Sequence, residues 1–150
     1  MRIRPYEKND WPRVCAIHDA ARRFELAAAH LDAAFLTLEQ TAENEGFYEY
    51  AIRVAVIDER VVGFVAFTDD ELAWLYVDPL MHRKGIASVL IQTALQETKN
   101  SMTAEVLLGN DAAIATYLKA GFEIVGQAHG CMPGNEGFAV SVTCLQHQGL

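Results

Sequence analysis

The sequence predicts an α/β fold in which a central mixed β-sheet is flanked by helices. Two observations carry this prediction. Three strand-like runs follow one another closely: Ile52, Val54 and Val56 alternate with Arg53 and Ala55, residues 61–67 are apolar, and residues 71–77 are apolar and aromatic. Asp58-Glu59-Arg60 and Thr68-Asp69-Asp70 separate them as turns, which makes an antiparallel meander. The last run then leads into a turn and a helix. It ends at Asp78-Pro79, the cationic His82-Arg83-Lys84 follows, and after Gly85 the residues Ile86, Val89, Leu90 and Ala94 recur at helical spacing. Residues 103–108 read as a strand parallel to the one before that helix, which completes a β-α-β unit and makes the sheet mixed.

The remaining elements follow in order. Residues 2–6 form a short first strand, and Asn9-Asp10-Trp11-Pro12 starts a helix with an Asx cap and proline in the first turn. That helix turns Val14, Ile17 and Ala21 inward. A second, separate helix is expected from Glu25 to about Gln40, with Leu26, Ala29, Ala33 and Leu36 or Phe35 as its buried stripe. Residues 41–50 read as a polar loop. Lys99-Asn100-Ser101 stops the helix that follows Gly85. Asn110-Asp111 caps a further helix that Gly121 ends. Residues 122–127 are expected as a strand, 128–137 as a loop with Pro133 and three glycines, and 138–144 as a final strand.

Composition narrows the function classes. A chain of 150 residues, 51% hydrophobic and 21% charged, holds one domain with a real core, so residues 1–150 are read as a single domain. The net charge of -8 argues against a general nucleic-acid binder, because phosphate backbones are held by clustered Lys and Arg. It suits a cationic or amine-bearing partner. No run reaches the length of a membrane span and the N-terminus lacks the apolar core of a signal peptide, so a cytoplasmic protein without membrane attachment is expected. Cys15, Cys131 and Cys144 show no metal-ligating spacing; reduced structural thiols and no metal are expected.

The turn at Gly85 joins three features that favour a phosphate or pyrophosphate. A helix N-terminus offers unpaired N–H groups and partial positive charge, glycine admits a ligand close to the backbone, and neighbouring cations add to the potential. The segment Val77-x-Pro79 followed by His82-Arg83-Lys84-Gly85-Ile86-Ala87 resembles the acetyl-CoA motif of the GCN5-related N-acetyltransferases (GNAT), Gln/Arg-x-x-Gly-x-Gly/Ala. Asn110-x-x-Ala113-x-x-x-Tyr117-x-x-x-Gly121-Phe122 is similar to the family's later helix. His82 departs from the usual Gln or Arg, but backbone N–H groups bind a pyrophosphate whatever that side chain is.

The resemblance implies a GNAT acyl-CoA N-acyltransferase fold, acetyl-CoA as cosubstrate, and direct acetyl transfer to an amine of a small molecule or peptide. It implies that residues 83–88 (Arg83, Lys84, Gly85, Ile86, Ala87 and Ser88), with His82, cradle the pyrophosphate. Backbone groups of Leu75, Tyr76 and Val77 then meet the pantetheine arm and thioester, with the Val77 N–H facing the oxyanion. Asn110 is expected to cap its helix and touch the cofactor arm, and Tyr117 to protonate the departing thiolate. Glu71 is the expected base for the amine: it stands at the offset from Val77 where histone-acetylating members carry their glutamate, and strand alternation puts it on the face of Ala73, Leu75 and Val77. Glu25, Glu39, His30 and His129 are reserves. Terminal strands in such folds pair into homodimers, which makes a homodimer an expectation here. A CoA-binding sensor without turnover is the competing reading.

Overall fold

The computed structural model describes residues 1–150. A seven-stranded sheet has the order β1-β2-β3-β4-β5-β7-β6. Its strands are β1 (Arg2–Pro5), β2 (Ala51–Ile57), β3 (Arg60–Phe67), β4 (Glu71–Val77), β5 (Met102–Leu107), β6 (Glu123–Met132) and β7 (Asn135–His147). Every pairing is antiparallel except β4 with β5. The helices are α1 (Trp11–Ala28), α2 (Leu38–Thr41), α3 (Ile86–Thr98) and α4 (Asp111–Lys119). No helix is long and apolar enough to cross a membrane.

Side-chain alternation along the strands divides the core between the two faces of the sheet. On one face Ile52, Val54, Phe64 and Trp74 pack with Val14 and Ile17 of α1 and Leu38 of α2. On the other, Val65, Phe67 and Leu72 pack with Ile86, Leu90, Ile91, Ala94 and Leu95 of α3 and with Tyr117 of α4. Gly63 allows the second contact to be close. A Cβ there would stand 3.1 Å from the Tyr76 carbonyl oxygen and 3.2 to 3.3 Å from the side chains of Ile86 and Leu90.

The meander, the β-α-β unit and α4 form where the sequence places them. Four expectations are corrected. The proposed second helix over residues 25–40 does not form. No glycine or mid-helix proline interrupts α1, so it runs on to Ala28, and His30 then takes a left-handed φ of 58°. The rest divides into a short 3-10 turn, Asp32–Ala34, and α2, which Thr37 and Gln40 start with a capping box. Ala34, not Ala33, is buried.

The stretch at 41–50 is not simply polar. It buries Thr41, Ala42 and Phe47, and the Phe47 ring meets Trp74 edge-on at 5.2 Å and Phe64 at 6.0 Å. Because Phe47 is fully buried among other rings, Phe47→Ala is expected to destabilise the fold by about 3–5 kcal/mol, read by denaturant unfolding.

The glycine-containing segment 128–137 is a β-hairpin tip and not a loop. β6 extends to Met132 and pairs with β7 across a turn at Pro133-Gly134, so ladder hydrogen bonds outweigh the low strand preference of Gly126 and Gly130. A smaller correction concerns Asp10. It precedes α1, but its carboxylate does not cap that helix: it accepts both terminal nitrogens of Arg4 at 2.8 and 2.9 Å and the Glu7 amide at 2.8 Å.

Candidate active site

β4 and β5 are paired only at Glu71 with Thr103 and Leu72 with Ala104. β5 keeps its register with β7 from Met102 to Leu107, so it continues straight while β4 diverges, and a wedge opens between them. A β-bulge helps the divergence. Ala66 faces Trp74 while Phe67 faces Leu72, which leaves Ala73 as the extra residue on β4. The wedge leads into a cavity of about 610 Å³ lined by residues of α1, β4, β5 and α4 and of the β6–β7 hairpin.

The bulge reverses one expectation about Glu71. Leu72, Leu75 and Val77 pack on the α3 face, whereas Trp74 and Tyr76 pack on the α1 face, so alternation slips by one at Ala73. Glu71 therefore shares the α1 face with Trp74 and Tyr76 and not, as simple alternation implied, that of Leu75 and Val77. It lies on the cavity wall, where one carboxylate oxygen accepts the Tyr50 hydroxyl at 2.9 Å. Burial, followed by this carboxylate, pushes the Tyr50 phenol up to about 12.

The main chain of β4 divides in the same way. The Asp78 amide donates to the Val62 carbonyl, so the amides of Val77 and Leu75 point the other way, into the wedge. Tyr76 has its main chain toward β3, its carbonyl close to Gly63, and reaches the cavity with its side chain.

At the wide end of the wedge the chain turns through a 3-10 turn, Pro79–Met81, into α3. Asp78 anchors the turn: its carboxylate accepts the Leu80 amide at 3.0 Å and a terminal nitrogen of Arg13, whose Nε donates to the Val61 carbonyl at 2.8 Å. Although burial works in the other direction, these partners hold the Asp78 carboxyl below its ordinary range. Arg83 and Gly85 both take left-handed conformations, with φ of 65° and 77°. The first bond into α3 runs from Val89 to the Gly85 carbonyl, and no amide of residues 83–88 donates to another group of the chain. A Cβ on Gly85 would meet nothing, so the concave side of the turn is open. His82, Arg83 and Lys84 are exposed around it, and the His82 ring lies edge-on to Phe24 of α1, 6.4 Å away.

Tyr117 and Asn110 line the cavity from α4 and its cap. Tyr117 is 5% exposed and its ring stands edge-on to Phe122 at 5.1 Å. Its hydroxyl has no hydrogen bond within the chain and is not a sealed polar atom, so it opens on the cavity. Burial, then the nearby Tyr76 and Glu25, drives this phenol well above its ordinary pKa. Asn110 caps α4 by accepting the Ala113 amide at 3.3 Å, and its side-chain nitrogen donates to Glu25 at 3.0 Å.

A sequence model described as the acetyltransferase (GNAT) family matches residues 11–122. The chain belongs to the GNAT family. It is accordingly an N-acetyltransferase of the GNAT kind, with a mixed sheet opened between β4 and β5. It is 25% identical over 131 residues to an uncharacterized N-acetyltransferase, YafP, of Escherichia coli, covering 85% of this chain and 84% of the relative. The fold is similar to that of a ribosomal-protein-alanine N-acetyltransferase from Brucella melitensis, with TM-score 0.75, 23% identity and 100% of both chains covered. It is also similar to yncA of Salmonella typhimurium, solved with its cofactor acetyl-CoA, with TM-score 0.66, 23% identity, and 99% and 93% of the two chains covered.

In this GNAT chain the reserve residues separate clearly. His30 and Glu39 are exposed and do not line the cavity. His129 does line it, from the β6–β7 hairpin, with Nδ1 2.6 Å from the Ser141 hydroxyl. Glu25 lies in the middle of the wall, but both of its oxygens are engaged. One accepts Arg22 and lies 3.5 Å from the Tyr76 hydroxyl, and the other accepts Asn110.

Sequence reasoning missed His18, Arg22, Glu45 and the Tyr76 side chain, all of which line the cavity. A signal for three neighbours was present: His18, Arg22 and Glu25 stand at i, i+4 and i+7 of one helix, which makes a polar stripe beside the apolar one. Splitting α1 at Glu25 hid it. Glu45 gives no such sign, because only the packing of 41–50 under Trp74 turns it inward, where burial raises its pKa.

Proposed function

We propose that this enzyme transfers the acetyl group of acetyl-CoA directly to a primary amine of a small molecule or peptide. The observation that carries the reading is the continuity of unpaired backbone donors. They run from the amides of residues 83–88 to those of Val77 and Leu75 and end at the free Tyr117 hydroxyl. The α3 N-terminus, with His82, Arg83 and Lys84 beside it, suits the pyrophosphate, and the wedge amides suit a pantetheine arm. Asn110 borders that arm.

The acceptor enters on the α1 face. Glu25, Glu45, Glu71 and Glu105 line the cavity against the single cation Arg22, which is committed to Glu25, so the walls attract an ammonium. Glu71 takes its proton. The free amine attacks the thioester carbonyl while the Val77 amide faces the developing oxyanion. The C–S bond then breaks, with Tyr117 giving its proton to the sulfur. Orientation of the two substrates supplies much of the rate.

An amine panel with thiol release as readout tests activity and acceptor class together. Glu71→Gln is expected to lower kcat/KM at neutral pH by about 10- to 100-fold, with the deficit shrinking as the pH approaches the pKa of the amine. A deficit that stays constant with pH would remove Glu71 as the base.

A further inference from the structure

The proton balance of the proposed transfer leaves the route of one proton unassigned. An ammonium that becomes an amide loses two protons, one before it attacks and one after its nitrogen has bonded to the carbonyl carbon. Tyr117 returns one proton to the thiolate, but it has to be recharged, and Glu71 accounts for only the first. The tyrosinate left behind is the final acceptor of the second proton, and a base on the same wall would carry it there.

His18 has the geometry for it. The ring is 4% exposed, and it packs edge-on against Tyr76 with centroids 4.9 Å apart. Its Nδ1 lies 2.9 Å from Asp19 Oδ1, and that oxygen also accepts the Leu38 amide at 2.9 Å. A carboxylate oxygen held this way is an acceptor, so Nδ1 carries the hydrogen and Nε2 of the neutral ring carries the lone pair. Nε2 has no partner in the chain, yet it is not a sealed atom and His18 lines the cavity, so the lone pair opens there. A packed core histidine would have both nitrogens engaged by protein. This one has one nitrogen fixed and the other presented to the substrate space.

Resting on the acetyl-transfer reading above, we propose that His18, oriented by Asp19, is a second general base of the reaction. It takes the proton that the acceptor nitrogen sheds after the N–C bond has formed. The atoms balance as follows: the N–C bond forms, the C–S bond breaks, and the first nitrogen proton goes to Glu71 and on to solvent. The second goes to His18 Nε2, and the Tyr117 proton goes to sulfur. His18 then returns its proton to the Tyr117 side of the wall, past Tyr76 and Glu25, which lie between them.

The charges around the ring are consistent with a neutral resting state. Asp19, Arg22 and Glu25 face it from α1, Tyr76 from β4, and Glu45 stands on the adjoining cavity wall from the segment after α2. Burial is the dominant influence and lowers the His18 pKa, with Arg22 adding to it and the carboxylates opposing it. His18 is therefore unprotonated and competent at neutral pH, and activity that depends on it is lost as the pH falls below its ordinary range.

Two measurements decide the matter. Long-range nitrogen NMR of the wild-type imidazoles is expected to show His18 with Nδ1 protonated and Nε2 bare at neutral pH, titrating below the ordinary histidine value. The opposite tautomer would overturn the assignment without reference to turnover. In the thiol-release assay, His18→Gln is expected to lower kcat about 100-fold and to remove the acid limb of the pH profile. The KM for acetyl-CoA should stay within about twofold, since the substitution does not touch the cradle. Asp19→Asn should show a smaller loss on the same limb. A His18→Gln enzyme within threefold of wild type, with the same acid limb, removes the proposal and leaves acetyl transfer standing. A wild-type protein that releases no thiol with any amine removes both.

Discussion

Tyr117→Phe is expected to lower kcat by about 100-fold or more while leaving the KM for acetyl-CoA within about twofold. The substitution removes a single oxygen. The ring keeps its edge-on contact with Phe122, and because the hydroxyl has no hydrogen bond within the chain, no buried partner is left unsatisfied. Thermal stability should therefore hardly change, and the effect should fall on the chemical step. The direction of the pKa shift adds a second test. Burial, with Tyr76 and Glu25 nearby, holds the phenol protonated far into the alkaline range. The wild-type enzyme should thus show no loss of kcat from this group up to about pH 10, where an ordinary tyrosine begins to ionise. Full activity of Tyr117→Phe at every pH would show that the thiolate leaves without a proton from Tyr117.

The second large effect is expected from Ser88→Glu. Ser88 is the third residue of α3, where a glutamate suits the helix: it lies near the positive end of the dipole and can reach back toward the Gly85 amide. A purely structural turn would be unchanged or slightly stabilised by it. If these amides hold a pyrophosphate, the same carboxylate opposes the ligand at close range, and affinity for acetyl-CoA should fall by about 30- to 100-fold, or about 2–3 kcal/mol. Stability and affinity thus move in opposite directions, which no general damage to the fold reproduces. Calorimetry of acetyl-CoA binding beside a melting curve reads both. Unchanged affinity in a well-folded variant would move the cofactor away from α3.

Local patterns carried the reading wherever one element decides the outcome. The Gly85 turn, the Asn110 cap and the strand runs of β2 and β3 are properties of a few adjacent residues, and all three stand where the sequence puts them. The Tyr117 position was legible through the resemblance of Asn110-x-x-Ala113-x-x-x-Tyr117 to the later helix of the family. Errors entered where distant segments compete. The alanine-rich stretch after Glu25 has ample helix preference, yet it is broken into short turns that fit beneath the sheet. The glycines of 128–137 suggest a loop until β7 supplies a ladder to pair with.

The sequence by itself determined the meander, the strand-turn-helix that opens at Gly85, and the second helix that carries Asn110 and Tyr117, because each follows from periodicity and capping within a short window. Only the tertiary structure decided what those parts enclose. The bulge at Ala73 is a mismatch between two strands, and it moves Glu71 to the α1 face and opens the wedge toward β5. The stripe His18, Arg22 and Glu25 becomes a cavity wall only because α1 runs unbroken across Tyr76. Register and long-range packing depend on pairs of residues far apart in the chain, and no single stretch of sequence contains both members of such a pair.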